Sequence, residues 1–151
     1  MKTTKILHDL GQSLWLDNIT RTLLDDGTLA RYIADDSITG LTSNPSIFDA
    51  AIGDGHAYDD DIREGIQRGQ SGETLFVDLA LADLRRAADL FRPIFDATEQ
   101  ADGWVSMEVS PLLAADTAGS IVAAQEIHRD ARRDNLFVKI PGTPEGIPAI
   151  E

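Results

Sequence analysis

Short apolar stretches alternate along this chain with longer segments in which apolar residues recur every three or four positions. Residues 13–16 read as a short strand. Over residues 18–35, Ile19, Leu23, Leu24, Leu29, Tyr32 and Ile33 keep a helical spacing that Asp26-Gly27 breaks into two pieces. Residues 38–42 form a second strand, stopped by Ser43-Asn44-Pro45-Ser46. Residues 46–70 predict two short helices parted near Gly53-Asp54-Gly55. The longest amphipathic run follows, residues 71–97, with Leu75, Leu79, Leu81, Leu84, Ala88, Phe91 and Phe95 on its apolar stripe and Pro93 as a point of kinking. A third strand over residues 103–109 ends at Ser110-Pro111. A helix capped by Asp116 or Thr117 runs to about residue 133, and a fourth strand over residues 135–140 ends at Pro141-Gly142.

Strands and helices that alternate through connections too long for hairpins imply parallel βαβ units. Right-handed crossovers leave an open doubly wound sheet or an arc of a (β/α)8 TIM barrel. The open sheet usually carries a glycine-rich first turn, whereas the first strand here runs into Asp17-Asn18 and Gly53-Asp54-Gly55 follows no strand. The α/β barrel arc is the better fit. No repeat or linker divides the chain, so residues 1–151 read as one domain.

Charge changes the list of partners rather than the fold. With 26 acidic and 13 basic residues the net charge is −13, and no Lys/Arg cluster exceeds two residues. DNA, RNA and anionic lipid are therefore repelled. There are no cysteines, hence no disulfides, thiolate metal sites or cysteine nucleophiles. No apolar run approaches the ~20 residues of a membrane span, and no signal-peptide stretch follows Met1, so a soluble cytoplasmic protein is expected. Lys2 and Lys5 lie in a terminus expected to fray. Lys139 is the one lysine in the body of the chain.

In parallel α/β folds the chemistry gathers where strands end. The strand ends here carry Asp17, Glu108 and Lys139, with Asn44 just past the second strand. By period-two alternation, Leu14 and Leu16, then Val105, Met107 and Val109, then Leu136, Val138 and Ile140 make aliphatic faces suited to packing under helices. The opposite faces, bearing Asp17, Glu108 and Lys139, then point into the barrel. A desolvated lysine can act as a neutral amine and attack a carbonyl, and the iminium it forms lets a neighbouring C–C bond break. Two carboxylates would then divide the proton transfers. Burial favours the neutral amine, whereas neighbouring carboxylates favour ammonium.

Each residue alone has a plainer explanation. Lys139 could reach solvent, Glu108 could make a structural ion pair, Asp17 could cap the next helix, and Asn44, Thr42 and Ser43 could serve a turn. Their joint placement is what favours a site. His8, His56 and His128 show no metal spacing, Asp59-Asp60-Asp61 reads as a solvated helix face, and Arg85-Arg86 and Arg132-Arg133 as outer helix charges. Trp15 and Trp104 read as barrel filling.

Four blocks carry a family resemblance: Leu14-Trp15-Leu16-Asp17-Asn18-Ile19-Thr20-Arg21, Gly40-Leu41-Thr42-Ser43-Asn44-Pro45-Ser46-Ile47-Phe48, Val105-Ser106-Met107-Glu108-Val109-Ser110-Pro111, and Phe137-Val138-Lys139-Ile140-Pro141-Gly142-Thr143-Pro144-Glu145-Gly146. In this order they resemble transaldolase, in particular the longer bacterial type, some of which are fused to glucose-6-phosphate isomerase. The resemblance implies a (β/α)8 barrel of class I aldolase type with no metal or organic cofactor. It implies transfer of a dihydroxyacetone unit from sedoheptulose 7-phosphate to glyceraldehyde 3-phosphate, giving erythrose 4-phosphate and fructose 6-phosphate in the pentose phosphate pathway. By motif position Lys139 matches the Schiff-base lysine, Glu108 the acid/base that works through a water, and Asp17 the acid/base for C–C cleavage. Asn44 matches the amide that binds the dihydroxyacetone unit, with Thr42 beside it.

Family members continue for four more βα units. Residues 1–151 are thus expected to supply the N-terminal half of the barrel, with the C-terminal half and its phosphate-gripping arginine absent. Such a half would leave two strand edges unpaired and the barrel interior exposed, and would call for self-association or the missing half. Two rivals remain open. One is a fructose-6-phosphate aldolase, disfavoured by the long segment between Ser46 and Asp102, and the other a catalytically silent half-barrel acting as an interaction module.

Overall fold

The strands form where alternation supplies one aliphatic face for helices to cover. In the computed structural model, which describes residues 2–151, these are β1 (Trp15–Asp17), β2 (Gly40–Thr42), β3 (Trp104–Glu108) and β4 (Leu136–Lys139). They pair in the order β1-β2-β3-β4, all parallel, as successive strands of one sheet. This is an α/β fold of four parallel βα units, in keeping with part of a (β/α)8 barrel.

The connections carry the helices. Before β1 lies α1 (Thr3–Asp9); between β1 and β2 lie α2 (Arg21–Asp25) and α3 (Thr28–Asp36). Gly27 parts these two with φ +73°, a left-handed backbone that glycine adopts without strain. Between β2 and β3 run α4 (Pro45–Gly53), α5 (Asp59–Gln67) and α6 (Gly72–Ala97); α7 (Thr117–Ala131) joins β3 to β4, and α8 (Ile147–Ile150) follows. Pro93 lies inside α6, which continues to Ala97. Asp116 caps α7, its carboxylate accepting the Gly119 N–H at 2.9 Å.

The core sits between the sheet and these helices. Leu41, Val105, Met107 and Leu136 meet Leu81, Leu84, Ala87, Ala88 and Phe91 of α6, with Ile127 and Ala131 of α7 in the same cluster. Arg85 does more than decorate the surface: it donates to the carbonyls of Asp130 at 2.7 Å and Ala131 at 3.3 Å, tying α6 to the end of α7.

The other face of the sheet carries an aromatic row. The Trp104 and Phe137 rings stack at 3.8 Å between centroids, and Trp15 lies parallel to Phe137 at 6.5 Å. Trp15 covers Gly40, where an added Cβ would stand 2.5 Å from the indole. Trp15 and Phe137 remain partly open to solvent. Among the described residues, β1 and β4 each keep one edge without a strand partner.

The structure adds to or departs from the sequence expectations in three places. Thr3–Asp9 form the helix α1, with exposed Lys5–Asp9 and Lys2–Asp36 ion pairs at 2.9 and 2.8 Å. A 3₁₀ turn at Pro111–Leu113 follows β3 unannounced. Each strand is also shorter than its apolar stretch. Among the described residues no helix is long and apolar enough to cross a membrane.

Candidate active site at the carboxyl edge of the sheet

Glu108 ends β3 and Lys139 ends β4, and register sets them opposite each other. Lys139 Nζ lies 3.3 Å from Glu108 Oε2, with the two side chains 38% and 31% exposed. Solvent reaches both groups, so the contact adds little to stability.

At the other side of the sheet Asp17 ends β1 opposite Thr42 of β2. The Ser106 hydroxyl donates to Thr42 Oγ1 at 3.1 Å, which puts Thr42 and Ser106 on one face. Glu108, two residues beyond Ser106, shares that face by alternation, as do Lys139 and Asp17 opposite their partners. Side chains of all four strands therefore meet one side of one edge. The touching pair is Glu108–Lys139; Asp17 stands three strand spacings from Lys139, about 14 Å along the sheet before curvature.

Asp17 is not a helix cap. Thr20 takes that place for α2, its hydroxyl accepting the Leu23 N–H at 3.1 Å, and Ile19 is fully buried beneath the turn. The Asp17 carboxylate is left exposed at the strand end. Asn44 does serve the turn: its Oδ1 accepts the Ile47 N–H at 2.9 Å and caps α4, with Pro45 at the first helical position. That bond occupies the oxygen and aims the amide; the Nδ2 donors make no hydrogen bond among the described residues. Ser43 turns inward, donating to the Ser106 carbonyl at 2.7 Å and locking the end of β2 to β3.

A cavity of about 610 Å³ opens beside this edge, lined by Asp17, Asn18, Arg21, Asn44, Ser46 and Tyr58 among others. A larger groove of about 710 Å³ runs between α6 and α7 over Phe76, Leu81 and Ile127 and reaches Glu108 from the helical side. Neither cavity touches Lys139: the smaller one holds Asp17 and Asn44, and the larger one reaches Glu108 alone of the candidate residues. Among the described residues no three His, Asp or Glu side chains gather as a metal site.

The segment after Lys139 is clamped. Thr143 donates to the Ala114 carbonyl at 2.6 Å, Thr117 to the Glu145 carbonyl at 2.6 Å, and the Gly146 N–H to Thr143 Oγ1 at 3.0 Å. A Cβ at Gly146 would fall 1.9 Å from the Pro141 carbonyl oxygen, so glycine is required there for close approach.

The family model described as transaldolase/fructose-6-phosphate aldolase matches residues 14–151. The chain belongs to this family. It is 46% identical over its whole length to a transaldolase of Thiobacillus denitrificans and 40% identical over its whole length to transaldolase 2 of Nostoc punctiforme. A transaldolase of Arthrobacter sp. is 44% identical across 97% of the chain. The chain covers 42%, 40% and 40% of these relatives' own lengths, about two fifths of the proteins it matches.

Ser106, Tyr58, Asp83 and Arg21 escaped the sequence reading as site-related residues. Ser106 shares the parity of Glu108 and was legible from it. Asp83 also left a trace, as an acid set squarely on the apolar stripe of α6 between Leu79 and Ala87. Nothing in the sequence pairs it with Tyr58 or Arg21, which lie 25 and 62 residues away.

Proposed function

We propose that this chain carries the Schiff-base machinery of a transaldolase, and that its four βα units are the N-terminal half of an eight-unit barrel. The observation that supports this most is the Lys139–Glu108 contact of 3.3 Å at the carboxyl edge, on the face shared with Asp17 and Thr42. Phosphorylated ketoses and aldoses are the substrates of this reading, with fructose 6-phosphate or sedoheptulose 7-phosphate as donor.

The chemistry follows from the placement. Lys139 as a free amine attacks the ketose C2 carbonyl and sheds a proton to Glu108, directly or through a water. Glu108 returns that proton to the alkoxide, giving a neutral carbinolamine; a second proton, taken up from solvent through Glu108, lets the hydroxyl leave as water, and an iminium remains. Asp17 takes the C4 hydroxyl proton; the C3–C4 bond breaks, its electron pair flows into the iminium, and an aldose phosphate departs. The enamine left on Lys139 adds through C3 to the acceptor aldehyde, whose oxygen takes the proton back from Asp17. Water then hydrolyses the new iminium. Asn44 through Nδ2 and Thr42 through its hydroxyl hold the dihydroxyacetone oxygens.

The test is borohydride trapping with fructose 6-phosphate, read by peptide mass spectrometry. A three-carbon adduct on Lys139, absent without reductant, is the expected result. No adduct, or labelling spread equally over Lys2 and Lys5, overturns the reading for this chain. Adding erythrose 4-phosphate separates transfer from simple release: a transaldolase makes sedoheptulose 7-phosphate, whereas an aldolase liberates dihydroxyacetone with or without the acceptor.

A further inference from the structure

Asp83 is fully buried on the core stripe of α6, where an aliphatic residue would meet the packing need alone. Both its oxygens are engaged. Oδ2 accepts the Tyr58 hydroxyl at 2.7 Å, and Oδ1 accepts Arg21 Nε at 2.9 Å. The Tyr58 oxygen in turn accepts the backbone N–H of Arg21 at 3.2 Å, and the guanidinium lies 4.3 Å above the Tyr58 ring. A second arm of Arg21 pairs with Asp61 of α5.

The protonation states needed for this arrangement are held in place. Burial first, and the bond to Asp83 second, push the Tyr58 phenol well above its ordinary value, so it stays a donor. Burial works against the charge on Arg21, but the Asp61 and Asp83 carboxylates outweigh it and raise its pKa.

Arg21 opens α2, and only Asn18, Ile19 and Thr20 separate it from Asp17. Asp17, Arg21 and Tyr58 line the same cavity. Main chain and side chain of Arg21 are thus both fastened, through Tyr58 and Asp83, to the rigid helix beneath. We infer that Asp83, Tyr58 and Arg21 form a latch that fixes the β1–α2 turn and sets where the Asp17 carboxylate stands over the cavity. They are positioning residues, and the inference rests on the reading in which Asp17 takes the substrate hydroxyl proton.

Tyr58→Phe in this same chain removes one hydroxyl and keeps the ring under Arg21. With fructose 6-phosphate and borohydride, the total adduct on Lys139 stays at the unsubstituted level, because imine formation needs Glu108. Its composition changes: the ratio of three-carbon to intact six-carbon adduct falls about tenfold, the scale of one buried hydrogen bond. Asp17→Asn shifts the ratio the same way, and Arg21→Lys, which keeps the charge but not the fork, lies between. A Tyr58→Phe variant that melts earlier yet keeps the original adduct ratio overturns the latch and leaves the cluster as fold support. If the unsubstituted chain gives no adduct, the Schiff-base reading fails, and amide exchange decides the latch separately. Exchange about tenfold faster over residues 18–22 in Tyr58→Phe, with β3 unchanged, upholds it; equal exchange there rejects it.

Discussion

Glu108 Oε2 and Lys139 Nζ stand 3.3 Å apart on residues that are direct partners in the parallel ladder between β3 and β4. Backbone register, rather than a flexible loop, therefore decides that the acid meets the amine. The Val109 N–H donates to the Lys139 carbonyl at 3.1 Å just beyond the pair, which continues the ladder past both side chains. In the proposed reaction a carboxylate this close is the base within reach of the amine.

Replacing Lys139 with arginine should keep the ion pair and abolish the chemistry. Lys139→Arg is expected to drop the trapped adduct to background while shifting stability by less than about 1 kcal/mol, the range of a partly exposed pair. Borohydride trapping and urea unfolding on one preparation check both halves. A persistent adduct elsewhere would mean that Lys139 is not the nucleophile.

Gly40→Ala should strain the aromatic row. The new methyl would press on the indole of Trp15, with ring atoms 2.5 to 2.8 Å away. Overpacking of this kind costs roughly 1–3 kcal/mol. A lower urea midpoint together with a changed near-ultraviolet circular dichroism spectrum is expected.

Gly146→Ala should be at least as damaging, because the obstacle is the Pro141 carbonyl oxygen and not a side chain that can swing away. A loss of about 1–3 kcal/mol is expected. Amide exchange should quicken at Gly146 and also at Val109, whose N–H bonds to the strand end that this segment follows.

Asp89 supplies a pH-dependent term. Its hydrogen bonds to Arg133, opposed by slight burial and aided by the nearby charge, lower its pKa below the ordinary 3.8. A lowered carboxyl pKa stabilises the fold above 3.8, and the gain is lost as pH falls through the depressed value. Asp89→Asn should therefore be less stable than the original at neutral pH, by a few tenths of a kcal/mol for so exposed a group, with the difference vanishing in acid. Urea midpoints across pH 2 to 7 test this.

Much of the fold was legible because its signals are local. Apolar alternation marked the four strands, Asp26-Gly27 marked the break between α2 and α3, and the stripe from Leu79 to Phe95 marked α6. The strand limits were not local. Gly103 carries φ +84° and donates to Thr39 at 2.8 Å, so it turns the chain before β3 begins. The Ile38 N–H closes back on Tyr32, so that residue belongs to the end of α3 rather than to β2. The shared parity of Asp17, Glu108 and Lys139 could be read directly, whereas the Asn44 cap needed the helix start at Pro45 to be placed. The Arg21–Tyr58–Asp83 cluster stayed hidden because its members meet only once α2, the α4–α5 connection and α6 are packed.

Trp15 and Trp104 are the two tryptophans of the sequence, and both lie on the sheet face that carries Lys139 and Glu108, in one row two side-chain layers beneath that pair. The protein thus contains a built-in optical reporter. Under the proposed reading, a sugar phosphate that settles on that edge is expected to alter the emission of these indoles, so intrinsic fluorescence can follow occupancy in an unlabelled sample, with no background from a tryptophan elsewhere.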